Sequence, residues 1–98
     1  MHQEVNIDFF LLKKSAIIMR ALNHQLRQKI FKLLEEHTKM TVSEIYANLK
    51  LEQSVASQHL AIMRRAGIVK TEREGKFVFY RLNRERIEQI DRAIKELL

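Results

Sequence analysis

The sequence predicts a mainly α domain with one small β-hairpin, in the order helix, turn, helix, wing, with a further helix toward each end. Two observations carry that prediction. Thr41 to Leu82 holds two helical apolar patterns joined by a short turn, then two alternating runs joined by Glu74-Gly75-Lys76. The 98 residues include no proline and only two glycines, Gly67 and Gly75, so little else punctuates the chain and residues 1–98 read as a single winged helix-turn-helix domain.

From Ile7 to about Leu22 the chain reads as a helix with apolar residues at Phe9, Phe10, Leu11, Leu12, Ala16, Ile18, Met19 and Leu22. That is wider than the single stripe of a surface helix. A central helix buried on several sides would explain it. A helix that covers its own domain and also meets a second subunit explains it better, because an N-terminal helix is rarely central in so small a domain. Asn23 or His24 starts the second helix, whose core face is Leu26, Ile30, Leu33 and Leu34. His37 to Met40 is a connection with room for a very short strand. Thr41-Val42-Ser43-Glu44 matches a capping box, and the helix it starts buries Val42, Ile45, Tyr46 and Leu49 before ending near Lys50.

After the turn at Leu51, a helix from about Gln53 to Ala66 turns Ala56, Leu60 and Met63 inward, and Gly67 suits the left-handed position that stops it. Ile68 to Arg73 and Phe77 to Leu82 read as paired strands, with Val78, Tyr80 and Leu82 on one face and Gly75 supplying the positive φ of the bend. The last helix, from Arg84 to Leu98, carries Ile87, Ile90, Ile94 and Leu97 as a narrow, coiled-coil-like seam. The apolar residues of the two terminal helices, Phe9, Phe10, Leu12, Ile87, Ile90, Ile94 and Leu97, are the candidate dimer interface.

Composition removes several function classes. The chain has no cysteine, which excludes disulfides, thiolate metal sites and cysteine nucleophiles. No apolar run approaches a membrane span, and Phe9-Phe10-Leu11-Leu12 is too short for a secretory signal core, so a soluble cytoplasmic protein is expected. No phosphate-binding loop, metallohydrolase motif or nucleophile elbow is present, and no enzyme is expected. The formal net charge is +6. Its distribution points to a partner: between Gln53 and Arg81 the basic residues Arg64, Arg65, Lys70, Arg73, Lys76 and Arg81 face only Glu72 and Glu74. A basic patch coinciding with a helix-turn-helix and wing suits double-stranded DNA better than a merely solvated surface does.

A helix that reads base edges needs short or polar side chains where it enters the groove. Gln53, Ser54, Ser57, Gln58 and His59 meet that need; Gln58 is suited to a two-bond pairing with adenine and Val55 to a thymine methyl. Arg64, Arg65, Arg73 and Lys76 are the expected phosphate or minor-groove contacts. Capping or plain solvation is the alternative for Ser54 and Ser57. For His59 a partly buried, hydrogen-bonded structural role is the stronger alternative. Glu72 and Glu74 are expected to oppose close approach of the wing to phosphate.

Several segments together resemble the ArsR/SmtB family: Ala21-Leu22-Asn23-His24, Leu26-Arg27, Ser54-Val55-Ala56-Ser57-Gln58-His59-Leu60, Arg65-Ala66-Gly67-Ile68-Val69 and the wing Arg73-Glu74-Gly75-Lys76-Phe77-Val78-Phe79-Tyr80-Arg81-Leu82. The resemblance covers about Ile18 to Leu82. It implies a bacterial or archaeal winged-helix repressor, a homodimer built from the first and last helices, and a reading helix entering successive major grooves of a roughly palindromic operator. Members of that family often release DNA when a metal or other inducer binds, so a small-molecule or metal inducer is a possible partner.

The chain departs from the family's sensors. It lacks the cysteine motif that metal-sensing members often carry on the helix corresponding to Thr41–Leu49, and Asp91 is followed by no histidine on the last helix. Gln25 stands where proline is frequent, Glu52 where a serine cap is usual, and Val55-Ala56 reverses the common order. His2, His24, His37 and His59 have no short ligand spacing, so no metal and no cofactor are expected; the alternative is a site assembled across a dimer, for instance from His2, Asp8 or His37 with acidic residues. The competing function is a protein–protein module that docks a partner through its apolar terminal helices.

Overall fold

The computed structural model describes residues 7–98. His2 therefore lies outside the described residues. The elements are α1 (Phe9–Leu22), α2 (Gln25–Glu36), β1 (Met40–Thr41), α3 (Val42–Leu49), α4 (Gln53–Ala66), β2 (Val69–Glu74), β3 (Phe77–Leu82) and α5 (Arg84–Leu97).

Each helix starts where a side chain can take up an orphan amide, with one exception. The Asp8 carboxylate accepts from Leu11 N–H at 3.0 Å and starts α1. His24 Nδ1 accepts from Leu26 N–H at 3.1 Å and starts α2. At α3 the expected capping box is complete: Thr41 Oγ1 accepts from Glu44 N–H at 3.2 Å, and a Glu44 carboxylate oxygen accepts from Thr41 N–H at 3.0 Å. The Thr41 bonds, the backbone one foremost, hold the Glu44 carboxyl below its ordinary range. Its contribution is thus present above the ordinary glutamate value and fades as pH falls through the lowered one. The exception is α4, whose cap residue Glu52 accepts no amide.

The helix ends are equally local. Lys50 closes α3 at φ 55°, and Leu51 N–H donates to Tyr46 O at 2.9 Å, making the tight turn into α4. Gly67 closes α4 at φ 85°, with Ile68 N–H donating to Met63 O at 2.9 Å. Asn83 then ties this corner to α5: its backbone N–H donates to Ile68 O, its Nδ2 to Gly67 O, and its Oδ1 accepts from Arg86 N–H.

The hairpin of β2 and β3 gains a third strand. The sheet order is β1-β3-β2, all antiparallel, with Met40 opposite Tyr80 and Val69 opposite Leu82. Both strand runs fall within a residue of the sequence expectation. Gly75 at φ 60° is the first central residue of a two-residue turn, the position where a hairpin of this length favours glycine.

The core joins all layers. Ile30 and Leu34 of α2, Ile45 of α3, Leu60 and Met63 of α4, and Ile68 before β2 are fully buried. Ala56, also fully buried, lies one turn before Leu60, so the inward face of α4 is Ala56, Leu60 and Met63 as the spacing predicts. Ile18 and Ala21 of α1 and Ile90 of α5 close the core from the outside. The one buried polar residue among those described, Ser15, donates to Leu11 O one turn earlier at 2.8 Å.

The terminal helices divide their apolar residues unevenly. Ile90 is 4% exposed and belongs to the chain's own core, with Ile87 and Ile94 packed beside it. The α5 seam is thus largely spent inside the chain, because α5 lies against α1. What remains exposed is Phe9 (72%), Phe10 (68%), Leu12, Met19 and Leu97 (66%). Among the described residues, no helix is long and apolar enough to cross a membrane.

Candidate nucleic-acid interface

Helix α4 presents one continuous exposed face. Gln53, Ser57, Ala61 and Arg64 form one row, and Ser54, Gln58 and Arg65 form the row beside it. All seven are exposed, because Ala56, Leu60 and Met63 fix the opposite face in the core. The face is short and polar at its N-terminal end and cationic at its C-terminal end. Ala61 was not among the expected residues; its small side chain keeps the middle of the face low.

Two expected reading residues lie elsewhere on the helix. Val55 and His59, four residues apart, share one flank of α4, and both are partly buried. The His59 ring sits 4.7 Å from that of His24, and its Nδ1 is 3.2 Å from Arg27 Nη1. A guanidinium only donates, so Nδ1 accepts and the proton of the neutral ring is on Nε2. Burial, then the neighbouring His24 and Arg27, pushes the His59 pKa down. This is the hydrogen-bonded structural role that stood as the alternative for this residue.

A pH dependence follows from that environment. The unfolded chain takes up the proton first, so the contribution of neutral His59 is lost as pH falls from the ordinary histidine value through the lowered one. A ring-proton NMR titration should place the His59 midpoint below that of free histidine. Stability measured by urea unfolding should fall over the same window, and His59→Gln should reduce that fall.

The wing adds two cations. Arg73 and Lys76 are exposed on either side of the Gly75 turn, and neither has a carboxylate partner among the described residues. The acidic residues expected to oppose phosphate are both engaged. Glu72 pairs with Arg81 at 2.6 Å, and Glu74 pairs with Lys39. Lys39, placed beside the wing by the pairing of β1 with β3, also lies over the Phe79 ring at 4.7 Å. No spacing in the sequence signals that pairing, since Lys39 and Glu74 meet only through the third strand.

The uncapped start of α4 offers a test of local energetics. Glu52→Ser should supply the missing cap and stabilise the fold by about 1 kcal/mol in urea unfolding. It also removes a negative charge beside the exposed face, so duplex affinity should rise in the same variant.

Among the described residues no three of histidine, aspartate and glutamate cluster as a metal site would require. Residues 24–71 match the family described as bacterial regulatory proteins of the arsR family. A transcriptional regulator of Methanocaldococcus jannaschii is 39% identical over 85 residues, covering 87% of this chain and 96% of that protein. The chain belongs to the arsR family. Within it, the transcriptional repressor PagR of Bacillus anthracis is 32% identical over 91 residues, covering 93% of this chain and 91% of the relative. The PagR crystal structure superposes with a TM-score of 0.77 over 89% of this chain and 99% of that one. The transcriptional activator HlyU of Vibrio cholerae is 35% identical over 85 residues, covering 87% of this chain and 74% of the relative. The arsR family members are winged helix-turn-helix transcriptional regulators rather than enzymes, and this chain has their fold.

Proposed function

We propose that this arsR-family regulator binds double-stranded DNA as a homodimer, reading base edges with the exposed face of α4 and holding phosphates with Arg64, Arg65, Arg73 and Lys76. The observation that carries the reading is the single uninterrupted face from Gln53 to Arg65, polar at one end and cationic at the other. Ser54, Ser57 and Gln58 are the sequence readers; Gln53 and Ala61 permit close approach. Val55 and His59 act through the placement of α4, not by touching bases.

The leftover apolar surface supports the dimer. Phe9, Phe10, Leu12 and Leu97 are large, exposed and gathered on the two terminal helices. A two-fold pairing of that surface would present two α4 helices to one side of a duplex, about one helical turn apart on a palindromic operator. Such a dimer would repress by occupying the operator; among the relatives, PagR is named a repressor and HlyU an activator.

Fluorescence anisotropy with a random duplex over a salt series tests the reading. Affinity should fall steeply with salt, and Lys76→Ala should weaken binding to every duplex and flatten the log–log slope by about one. Absence of binding at low salt would favour the competing role, a module that docks another protein through α1 and α5.

A further inference from the structure

A pocket of about 410 Å³ opens between α1, α2 and α4, on the flank of α4 formed by Ile62, Arg65 and Ala66, bordering its exposed face. Its lining is unusual in charge: Arg20, Arg27 and Arg65 converge on a floor of Ile17, Ala21, Ile62 and Ala66, and no acidic residue lines it. None of the three arginines takes part in an ion pair among the described residues. Like charges gathered around a concavity raise its positive potential and call for an anion. Arg27 is already oriented: its Nε donates to Ala21 O and its Nη1 to His59 Nδ1. With those two donors engaged, Arg27 keeps its second Nη1–H and both Nη2–H groups, enough for the two-bond recognition of a carboxylate or phosphate.

We propose that this pocket binds a small organic anion, a carboxylate or phosphate monoester carried on an apolar body, and that its occupancy opposes DNA binding. The volume falls in the range of about 300–1,000 Å³ usual for small-molecule clefts. A DNA phosphate could meet the arginines but would leave the apolar floor uncovered. The effect on DNA rests on the function proposed above and has a direct route. The anion would neutralise Arg65 and compete with His59 for Arg27, the residue that ties α4 to α2.

The probes are octanoate and hexyl phosphate, with octanamide as the neutral body and inorganic phosphate as the bare anion. On the isolated protein, arginine Nε–H NMR signals should shift saturably for Arg20, Arg27 and Arg65. At least one anionic probe should bind tenfold or more tightly than octanamide and inorganic phosphate. Arg20→Glu, on an exposed position of α1, should weaken that binding at least tenfold. Equal binding of octanamide, or unchanged binding in Arg20→Glu, would overturn the site by placing the probe on apolar surface elsewhere. So would duplex DNA moving the three signals when neither probe does. These measurements need no DNA activity and stand apart from the function proposed above. In anisotropy, saturating probe should weaken duplex binding at least tenfold; a bound probe with unchanged duplex affinity would overturn the opposing role.

Discussion

Phe9→Glu combined with Leu97→Glu is expected to leave a folded chain that no longer dimerises. Both side chains are mostly exposed, at 72% and 66%, so neither substitution opens the core. In a dimer the two charges would be brought into an apolar interface on each subunit, four in all by two-fold symmetry, and burial of unpaired charge strongly disfavours association. The consequence for DNA is larger than any single lost contact. Two linked reading helices bind with the avidity of an intramolecular second step, typically worth about 10²–10⁴-fold. Sedimentation should report a monomer, circular dichroism an unchanged helix content, and anisotropy a loss of about a hundredfold or more on a palindromic duplex. A persisting dimer with unchanged affinity would remove these residues from the interface.

Gln58→Ala is expected to have the next largest effect, and of a different kind. Gln58 is exposed on the row that also carries Ser54 and Arg65, and it makes no hydrogen bond that holds the fold among the described residues. A two-bond amide–adenine contact discriminates by about 1–3 kcal/mol against the wrong base, or roughly 5- to 150-fold. The variant should therefore keep its affinity for random duplexes while losing preference at one base pair in each half-site. That separates it from Lys76→Ala, which should weaken all duplexes alike. If Gln58→Ala preserved the preference at every position, the exposed face of α4 would not be the reader.

What was legible in the sequence was whatever depended on local spacing. Thr41 and Glu44 formed their capping box, Gly67 took the left-handed stop, and Ala56, Leu60 and Met63 turned inward, because each depends on residues three or four positions apart. The sequence left open what required knowing which element lies against which. Val55 and His59 have polar or small neighbours suited to a groove, yet both are partly buried, and Arg27 and His24 lie against His59. Ile90 sits on an apparently free seam, yet α1 covers it. Glu74 reads as an obstacle to phosphate, yet the third strand sets Lys39 beside it. The same long-range placement assembled Arg20, Arg27 and Arg65 around one pocket, although they are far apart in sequence.

The same division applies to energetics. The inward face of α4 decides where the exposed face points, so the reading surface is a product of core packing rather than a separate feature. Leu60 and Met63 hold the helix from beneath, and the Arg27–His59 contact holds it from the side. The pH dependence predicted for His59 is therefore also a statement about how firmly α4 is held.

Selection of duplexes from a random pool by the full chain, followed by sequencing of the bound fraction, tests the central claim most directly. An enriched, roughly palindromic site is predicted, with half-site centres about 10–10.5 base pairs apart, its preference relaxed at one position per half-site by Gln58→Ala. Enrichment of no sequence at any salt concentration, or of an unrelated motif insensitive to substitutions on the exposed face of α4, would contradict it.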